Sequence, residues 1–163
     1  MYVNIDDRQF KESVMSRVQL ALNVSNIDEA VSFYSKLFQA EPTKRHPGYA
    51  NFSIAQPPLK LVLIENPTQA GTLNHLGVEV ETSEQVTVAI ARLQHLNLET
   101  KIETQTTCCY AVQDKVWVHD PDATPWEIYT VLADSTMHDQ KATAAALSFE
   151  CCTTDTTATA YIP

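Results

Sequence analysis

Residues 17–38 have the sequence RVQLALNVSNIDEAVSFYSKLF, and this stretch decides the expected fold. Its first eight residues alternate between apolar and polar side chains, which is typical of a half-buried strand. Ser25-Asn26-Ile27-Asp28 then provides a helix cap with an acid in the first turn. After the cap, apolar side chains recur at the spacing of one helix face: Ala30, Phe33, Tyr34, Leu37 and Phe38. A strand followed directly by an amphipathic helix, which ends near residue 38, is therefore predicted.

Further strands are predicted after this helix. Pro42 and the pair Pro47-Gly48 mark the helix exit and a turn. Residues 49–54 and 60–65 are each expected to form a strand, with Pro57-Pro58 between them. With a short strand near Thr43, the first unit would have the order β-α-β-β-β.

The same series of signals starts again at Leu73. The string NHLGVEV at 74–80 alternates like a strand, and Thr82 with Gln85 forms a capping box ahead of a second helix. Strand patterns at 99–105, 108–112, 115–119 and 126–132 follow this helix in a second unit of the same type. Shifting this unit back by 56 positions places His75 on Gln19. The chain is therefore predicted to be an internal duplication, whose halves cover each other's sheets within one chain or across a dimer.

The expected domain organisation follows from this duplication. Residues 16–133 form the domain, with module one at about 16–66 and module two at about 73–133. Residues 1–15 are expected to be a flexible leader. Residues 134–163, rich in Ala and Thr, are expected to be a low-complexity tail.

Composition excludes several classes of function. The chain has 20 acidic and 11 basic residues, a formal charge of -9, so nucleic acid is not an expected partner. Its three glycines form no Gly-rich phosphate loop, which argues against nucleotide binding. No segment has the length of a membrane span and the acidic N-terminus does not resemble a signal peptide, so no membrane partner is expected. The four cysteines occur as two adjacent pairs, which is not a secreted disulfide framework, and a cytoplasmic protein is predicted.

Cys108 and Cys109 predict a clamp for a soft, thiophilic ligand, because thiolate sulfur prefers soft acceptors. Adjacent cysteines have Cα atoms about 3.8 Å apart, too close for an ordinary disulfide, so two reduced thiols are expected. The alternative is a pair of small, semi-apolar residues in a half-buried strand. The second pair, Cys151-Cys152, lies in the tail and is either incidental or an auxiliary dithiol.

Three side chains are candidate metal ligands. Gln19 on the first strand of module one, His75 on the first strand of module two and Glu127 on the last strand could face the same sheet surface. An imidazole, a carboxylate and an amide oxygen leave open positions on a divalent metal. The fourth equivalent position falls near Lys60, whose ammonium cannot ligate, so one site with three protein ligands is expected. Glu79 is either a carboxylate partner for an imidazole or a solvent-facing residue.

The chain resembles a known superfamily in three segments: VSFYSKLF at 31–38, NHLGVEV at 74–80 and VHDPDATPWEIYTV at 118–131. These are similar to the vicinal oxygen chelate superfamily, which includes glyoxalases and extradiol dioxygenases. The resemblance implies an α+β fold in which two tandem βαβββ modules form a partly open, cup-shaped mixed β-barrel with flanking helices. Ala123 stands where the superfamily commonly has the glycine of a DPDG turn.

Within the superfamily, residues 17–38, YANFSIAQPPLKLVLIEN at 49–66 and CCYA at 108–111 resemble the arsenic-inducible and cadmium-induced group. This resemblance implies a non-haem Fe(II)- and dioxygen-dependent carbon-arsenic lyase that removes methyl or aryl groups from trivalent organoarsenicals and gives organoarsenical resistance. It places iron on Gln19, His75 and Glu127, and the arsenic of a small-molecule substrate on Cys108 and Cys109. The subunit would be a monomer or a homodimer.

Two alternatives stay open. A thiol protein on the same fold could sequester cadmium or arsenite without turnover, with the tail pair Cys151-Cys152 contributing. A thiol-dependent glyoxalase or antibiotic-modifying relative is disfavoured by Lys60, since it removes the fourth ligand of the usual site.

Overall fold

In a computed structural model, which describes residues 16–136, the chain forms one eight-stranded sheet with two α-helices. Module one contains β1 Arg17–Val24, α1 Ile27–Phe38, β2 Lys44–His46, β3 Tyr49–Ile54 and β4 Leu59–Glu65. Module two contains β5 Leu73–Glu79, α2 Ser83–His95, β6 Lys101–Cys108, β7 Ala111–His119 and β8 Pro125–Asp134. The sheet curls into a half-barrel, so the predicted α+β class is confirmed. The expected leader, nearly all of the expected tail and Cys151-Cys152 lie outside the described residues.

The strand order β2-β3-β4-β1-β5-β8-β7-β6 joins the two modules at its centre. There β1 and β5 pair antiparallel, while β4 and β8 lie parallel to β1 and β5 respectively. Gln19 pairs with Gly77 and Ala21 pairs with His75, so the 56-residue shift converts one pair into the other. The pairing therefore has the pseudo-two-fold symmetry that the duplication predicts.

Both helices begin where their caps predict. Asn26 accepts hydrogen bonds from the backbone N–H groups of Asp28 and Glu29, and Thr82 with Gln85 forms a complete capping box. Helix α1 buries Ile27 and Val31 against one face of β3 and β4. The opposite face of these strands is left to line a cavity. Neither helix within residues 16–136 combines the length and apolar character that crossing a membrane requires.

One predicted strand is wrong. Residues 108–112 are not a separate strand, because Cys108 ends β6 and Ala111 begins β7, with Cys109 and Tyr110 as the turn between them. Strand β7 then continues through Gln113 and Asp114, where its pairing with β8 shifts register. Gln113 lies between two of the predicted strands, and in the structure it belongs to β7 with its buried side chain facing the cavity.

Candidate metal and thiol site

Gln19, His75 and Glu127 converge on the cavity face of three neighbouring strands. The Gln19 amide nitrogen Nε2 lies 3.0 Å from His75 Nε2 and 2.6 Å from Glu127 Oε1. His75 Nε2 and Glu127 Oε1 are 3.3 Å apart. The three residues are 4%, 4% and 3% exposed, so the site is enclosed by protein. The structure thus brings the three sequence-predicted ligands into one buried cluster.

Gly77 makes this convergence possible, and the sequence analysis missed it. It lies between Gln19 on β1 and Glu127 on β8 in the sheet. A Cβ atom at Gly77 would lie 3.0 Å from Glu127 Cγ and 3.3 Å from Gln19 Cβ. A side chain there would push the two donors apart. The available signal was a glycine inside an alternating strand, which marks a close approach of neighbouring groups.

Lys115 on β7 is a second residue that the sequence analysis missed. It is 1% exposed, and its ammonium donates a 2.8 Å hydrogen bond to Glu127 Oε2. Burial opposes the charge of Glu127, but Lys115 outweighs it and holds the pKa of this carboxyl well below its usual range. Burial likewise opposes the charge of Lys115, but Glu127 and then Cys109 raise the pKa of the ammonium. Glu127 is therefore a carboxylate with one oxygen held by Lys115 and the other facing Gln19 and His75.

Tyr129 orients the Gln19 amide. Burial and then the charge of Glu127 raise the pKa of Tyr129 well above its usual range, so its hydroxyl keeps its proton. This hydroxyl donates to Gln19 Oε1, which leaves the amide nitrogen to donate toward His75 and Glu127. Both polar atoms of the Gln19 side chain thus have hydrogen-bond partners.

The fourth equivalent position is Val62 rather than Lys60. Glu127 pairs with Gly77 on β5, and the residue equivalent to Gly77 on β1 is Ala21, which pairs with Val62 on β4. Lys60 lies two residues earlier on the same strand face, where its ammonium is 3.2 Å from Glu79 Oε1. Glu79 also bonds Arg17, so it does not serve as a carboxylate partner of His75. Neither Val62 nor Lys60 supplies a fourth ligand.

Cys109 lines the same cavity as the three converging residues, and the cavity has a volume of about 160 Å³. Cys108 is buried next to it, and the two sulfur atoms are 3.1 Å apart and are not bonded to each other. The structure thus brings both sulfur atoms of the predicted clamp together at the turn that borders the cavity.

The thiol turn contacts module one. Cys109 and Tyr110 have φ values of 52° and 62°, the left-handed region that a two-residue hairpin turn of this kind requires. The Tyr110 ring stacks on His46 with 3.6 Å between ring centroids, and Lys44 Nζ donates to the Tyr110 carbonyl at 2.9 Å. The tip of the β6–β7 hairpin thus rests on the β2–β3 hairpin and closes one side of the cavity.

The three converging side chains fit a divalent metal, although they are an unusual combination of ligands. Within residues 16–136, no three His, Cys, Asp or Glu side chains are grouped to hold a metal ion. The cluster instead joins one imidazole and one carboxylate to an amide. Gln113 also faces the cavity, and its buried Oε1 has no hydrogen-bond partner in this part of the chain. The cavity therefore offers three converging donors, a thiol and one acceptor to a ligand.

With this fold and cluster, the chain belongs to the glyoxalase/bleomycin resistance protein/dioxygenase superfamily, whose family model matches residues 16–128. An extradiol ring-cleaving dioxygenase from B. fuscum shares the fold, with a TM-score of 0.53 and 20% identity over 78% of this chain. The matched part spans 34% of that dioxygenase chain.

Two relatives are much closer in sequence. The chain is 65% identical over 121 residues to a cadmium-induced protein, CadI, of Mycobacterium tuberculosis, a match that covers 74% of this chain and 80% of that protein. It is 51% identical over 151 residues to a trivalent organoarsenical cleaving enzyme of Thermomonospora curvata. This second match covers 85% of the chain and 100% of the relative.

Proposed function

We propose that the chain is a ferrous-iron- and dioxygen-dependent enzyme that cleaves the carbon-arsenic bond of trivalent organoarsenicals and releases arsenite. Methylarsonous acid and reduced aromatic arsenicals are the proposed substrates. The observation that carries this proposal is that the Cys109 thiol lines the cavity in which Gln19, His75 and Glu127 converge. The similarity to a trivalent organoarsenical cleaving enzyme supports the substrate class.

In this proposal, Gln19, His75 and Glu127 hold the metal. Ferrous iron, when bound, would supply an open redox-active position for dioxygen. An amide ligates through its oxygen, and the Gln19 oxygen accepts from the Tyr129 hydroxyl in this structure. Ligation therefore requires a rotation of the Gln19 side-chain amide that turns Oε1 toward the metal position. This rotation would break the hydrogen bond from the Tyr129 hydroxyl to Oε1.

Cys108 and Cys109 would hold the substrate. Trivalent arsenic is a soft acceptor, and two thiols whose sulfur atoms are only 3.1 Å apart can both bind one arsenic atom. Fixing the arsenic at the turn leaves its organic group inside the cavity. Because the reacting groups are then held in one enclosed space, effective molarities of about 10⁵ M or more become accessible.

The cavity limits the size of the substrate and offers it a hydrogen-bond acceptor. Its volume of about 160 Å³ is below the ~300–1,000 Å³ of pockets for drug-sized ligands, which favours small arsenicals. Lys115 holds one oxygen of Glu127 and so compensates the charge of this carboxylate. Gln113 Oε1 would accept a hydrogen bond from a substrate hydroxyl or amine.

A direct test measures arsenite release from a trivalent methylarsenical by the reduced protein, with and without ferrous iron and with and without air. The proposal expects release only when both iron and dioxygen are supplied. Cys109→Ser and Cys108→Ser should each reduce turnover to background. Deletion of residues 140–163, which removes Cys151 and Cys152, is the control and should leave turnover largely intact. Loss of activity on this deletion alone would contradict the assignment of the thiol clamp.

A second candidate function is sequestration of cadmium or arsenite by the cysteines without turnover. It is favoured by the 65% identity to a protein named as cadmium-induced. The same assay separates the two functions, because sequestration predicts tight retention of an unchanged methylarsenical and no dependence on iron. It also predicts that removing Cys151 and Cys152 weakens retention.

A further inference from the structure

Two side-chain amides, those of Asn74 and Asn23, lie in a row behind His75, on the side away from the converging ligands. His75 Nδ1 is 2.7 Å from the side-chain oxygen Oδ1 of Asn74, its neighbour in β5. Asn74 Nδ2 donates a 2.9 Å hydrogen bond to Asn23 Oδ1 on β1. Asn23 is only 2% exposed. These contacts link module one to the imidazole of module two.

The row ends on the backbone. Asn23 Nδ2 donates at 2.9 Å to Thr72 Oγ1, and the Thr72 hydroxyl donates at 2.7 Å to the carbonyl oxygen of Gln69. Backbone bonds hold the same residues in register, with Asn23 N–H donating to the Thr72 carbonyl and Gly71 N–H donating to the Asn23 carbonyl. These backbone bonds therefore fix the position of Asn23 relative to Thr72.

The Gln69 carbonyl at the end of the row determines which atom donates in each of its hydrogen bonds. A backbone carbonyl can only accept, so the Thr72 hydroxyl donates to Gln69 and accepts from Asn23. Asn23 then presents its oxygen to Asn74, and Asn74 presents its oxygen to His75 Nδ1. Reversing the two amides would require the Thr72 hydroxyl to leave Gln69. The arrangement therefore favours a proton on His75 Nδ1.

The contact at His75 Nε2, on the opposite side of the ring, also favours a proton on Nδ1. The Gln19 amide nitrogen lies 3.0 Å from His75 Nε2 and, with its oxygen engaged by Tyr129, can only donate. His75 Nε2 must then be the acceptor. Two separate sets of contacts thus favour the same neutral form of the ring.

We propose that Asn74, Asn23 and Thr72 are positioning residues that fix the His75 tautomer, with Nδ1 protonated and the Nε2 lone pair directed at the metal position. The inference rests on the proposed function in that it takes His75 as a metal ligand. A histidine ligates through an unprotonated nitrogen, and a partner on the other nitrogen fixes both tautomer and ring orientation. Here that partner is a chain of neutral amides in place of a carboxylate.

The first test is ¹⁵N NMR of the histidine ring in the intact, metal-free protein at a pH where the ring is neutral, with His75→Gln used to assign the signals. Wild-type protein should show a protonated Nδ1 and an unprotonated Nε2. Asn74→Leu, which has a similar size but no acceptor, should weaken this preference, because only the Gln19 contact remains. Asn74→Asp keeps an oxygen facing Nδ1 and should retain it.

The second test measures the dissociation constant for Co(II), used as a spectroscopic probe, in the same proteins. Asn74→Leu should bind about 10–100-fold more weakly than wild type, the range found for partners of ligating histidines. Asn74→Asp should remain close to wild type. A smaller loss is expected for Thr72→Val, with Thr72→Ser as its matched control, and these exposed substitutions keep the test available if Asn74→Leu does not fold.

Protonation at Nε2 in the wild-type protein would overturn the proposal. So would an Asn74→Leu variant that folds and keeps both the tautomer and the Co(II) affinity. Failure of the proposed function has a different signature, because the tautomer is measured without metal or substrate. A wild-type protein with the expected tautomer but no iron-dependent arsenite release would contradict the enzyme assignment and leave the tautomer result standing.

Discussion

The two modules have the same order of strands and helix but contribute unequally to the site. Module two supplies His75, Glu127, Lys115 and the thiol turn, whereas module one supplies Gln19 and an apolar Val62 at the position equivalent to Glu127. The difference teaches that duplication provides the symmetric scaffold and its register. The chemistry then depends on single positions at which the two copies have diverged.

The clearest divergence is between two lysines that line the cavity, Lys115 and Lys60. Lys115 in module two has Glu127 as its carboxylate partner, and the pKa of Lys115 is raised in spite of burial. Lys60 in module one shares Glu79 with Arg17, and burial lowers the pKa of Lys60. Two lysines on one cavity therefore have opposite effects on the pH dependence of stability.

The largest expected effect comes from breaking the ion pair of module two. Glu127→Leu leaves the Lys115 ammonium buried without this carboxylate, and the free energy of unfolding should fall by about 3–5 kcal/mol. The double variant Glu127→Leu/Lys115→Met should recover most of the stability but no metal binding. Urea denaturation and Co(II) titration measure the two outcomes. A single variant as stable as the double would show that the pair does not carry this energy.

Gly77→Ala tests the contact between the modules. The added Cβ atom would lie 3.0 Å from Glu127 Cγ, so we expect a loss of about 1–3 kcal/mol together with weaker metal binding. Gly71→Ala is the control, because Gly71 has φ +80° but no atom within 4 Å of the added Cβ. It should lose stability through backbone strain and keep its metal affinity. Equal metal affinities in the two variants would contradict the role of Gly77.

Lys60→Met tests the pH dependence that module one should show. Burial lowers the pKa of folded Lys60 below 10.5, opposed by Glu79 and Glu127 and aided by Arg17. The unfolded chain therefore binds more protons as the pH approaches 10.5, and wild-type stability should gain a rising contribution up to about pH 10. Lys60→Met should lack this contribution. Lys115, whose pKa is raised, contributes stability that is lost only as the pH rises through its higher folded value.

This difference is read from urea denaturation of both proteins between about pH 7 and 10. Parallel curves for wild type and Lys60→Met would show that Lys60 is not the residue whose pKa is lowered.

The smallest expected effect lies in the turn before β8. Ala123 has φ 66°, where an alanine is strained and a glycine is not. Ala123→Gly should raise the free energy of unfolding by about 0.5–1 kcal/mol without changing metal affinity. A loss of stability would show that unfolded-state entropy outweighs the relief of strain.

Local signals predicted most of the fold. The caps at Asn26 and Thr82 lie next to the groups they bond, so the helix starts could be predicted from neighbouring residues. Gln19 and His75 could be predicted as a pair because the duplication preserves their register. Glu127 joined them because its position on the last strand of module two allows it to face the same sheet surface.

What could not be predicted depends on contacts between distant strands. The Lys115–Glu127 pair forms across β7 and β8, and no local pattern distinguishes Lys115 from an exposed lysine. The expected fourth position was misplaced by two residues at Lys60, because the register between β1 and β4 is visible only in the folded sheet. The thiol turn was taken for part of a strand, since Cys and Tyr are not typical residues for left-handed turn positions.

The left-handed conformation of Cys109 and Tyr110 also bears on directed evolution of this protein. Asn-Gly is the pair that best fits such a turn, and neither Cys nor Tyr adopts it without strain. A library screened for heat resistance alone should accordingly enrich Asn-Gly here and discard a sulfur. Thermostable descendants would then be inert toward thiophilic compounds, so both cysteine codons need to be held constant in such a screen.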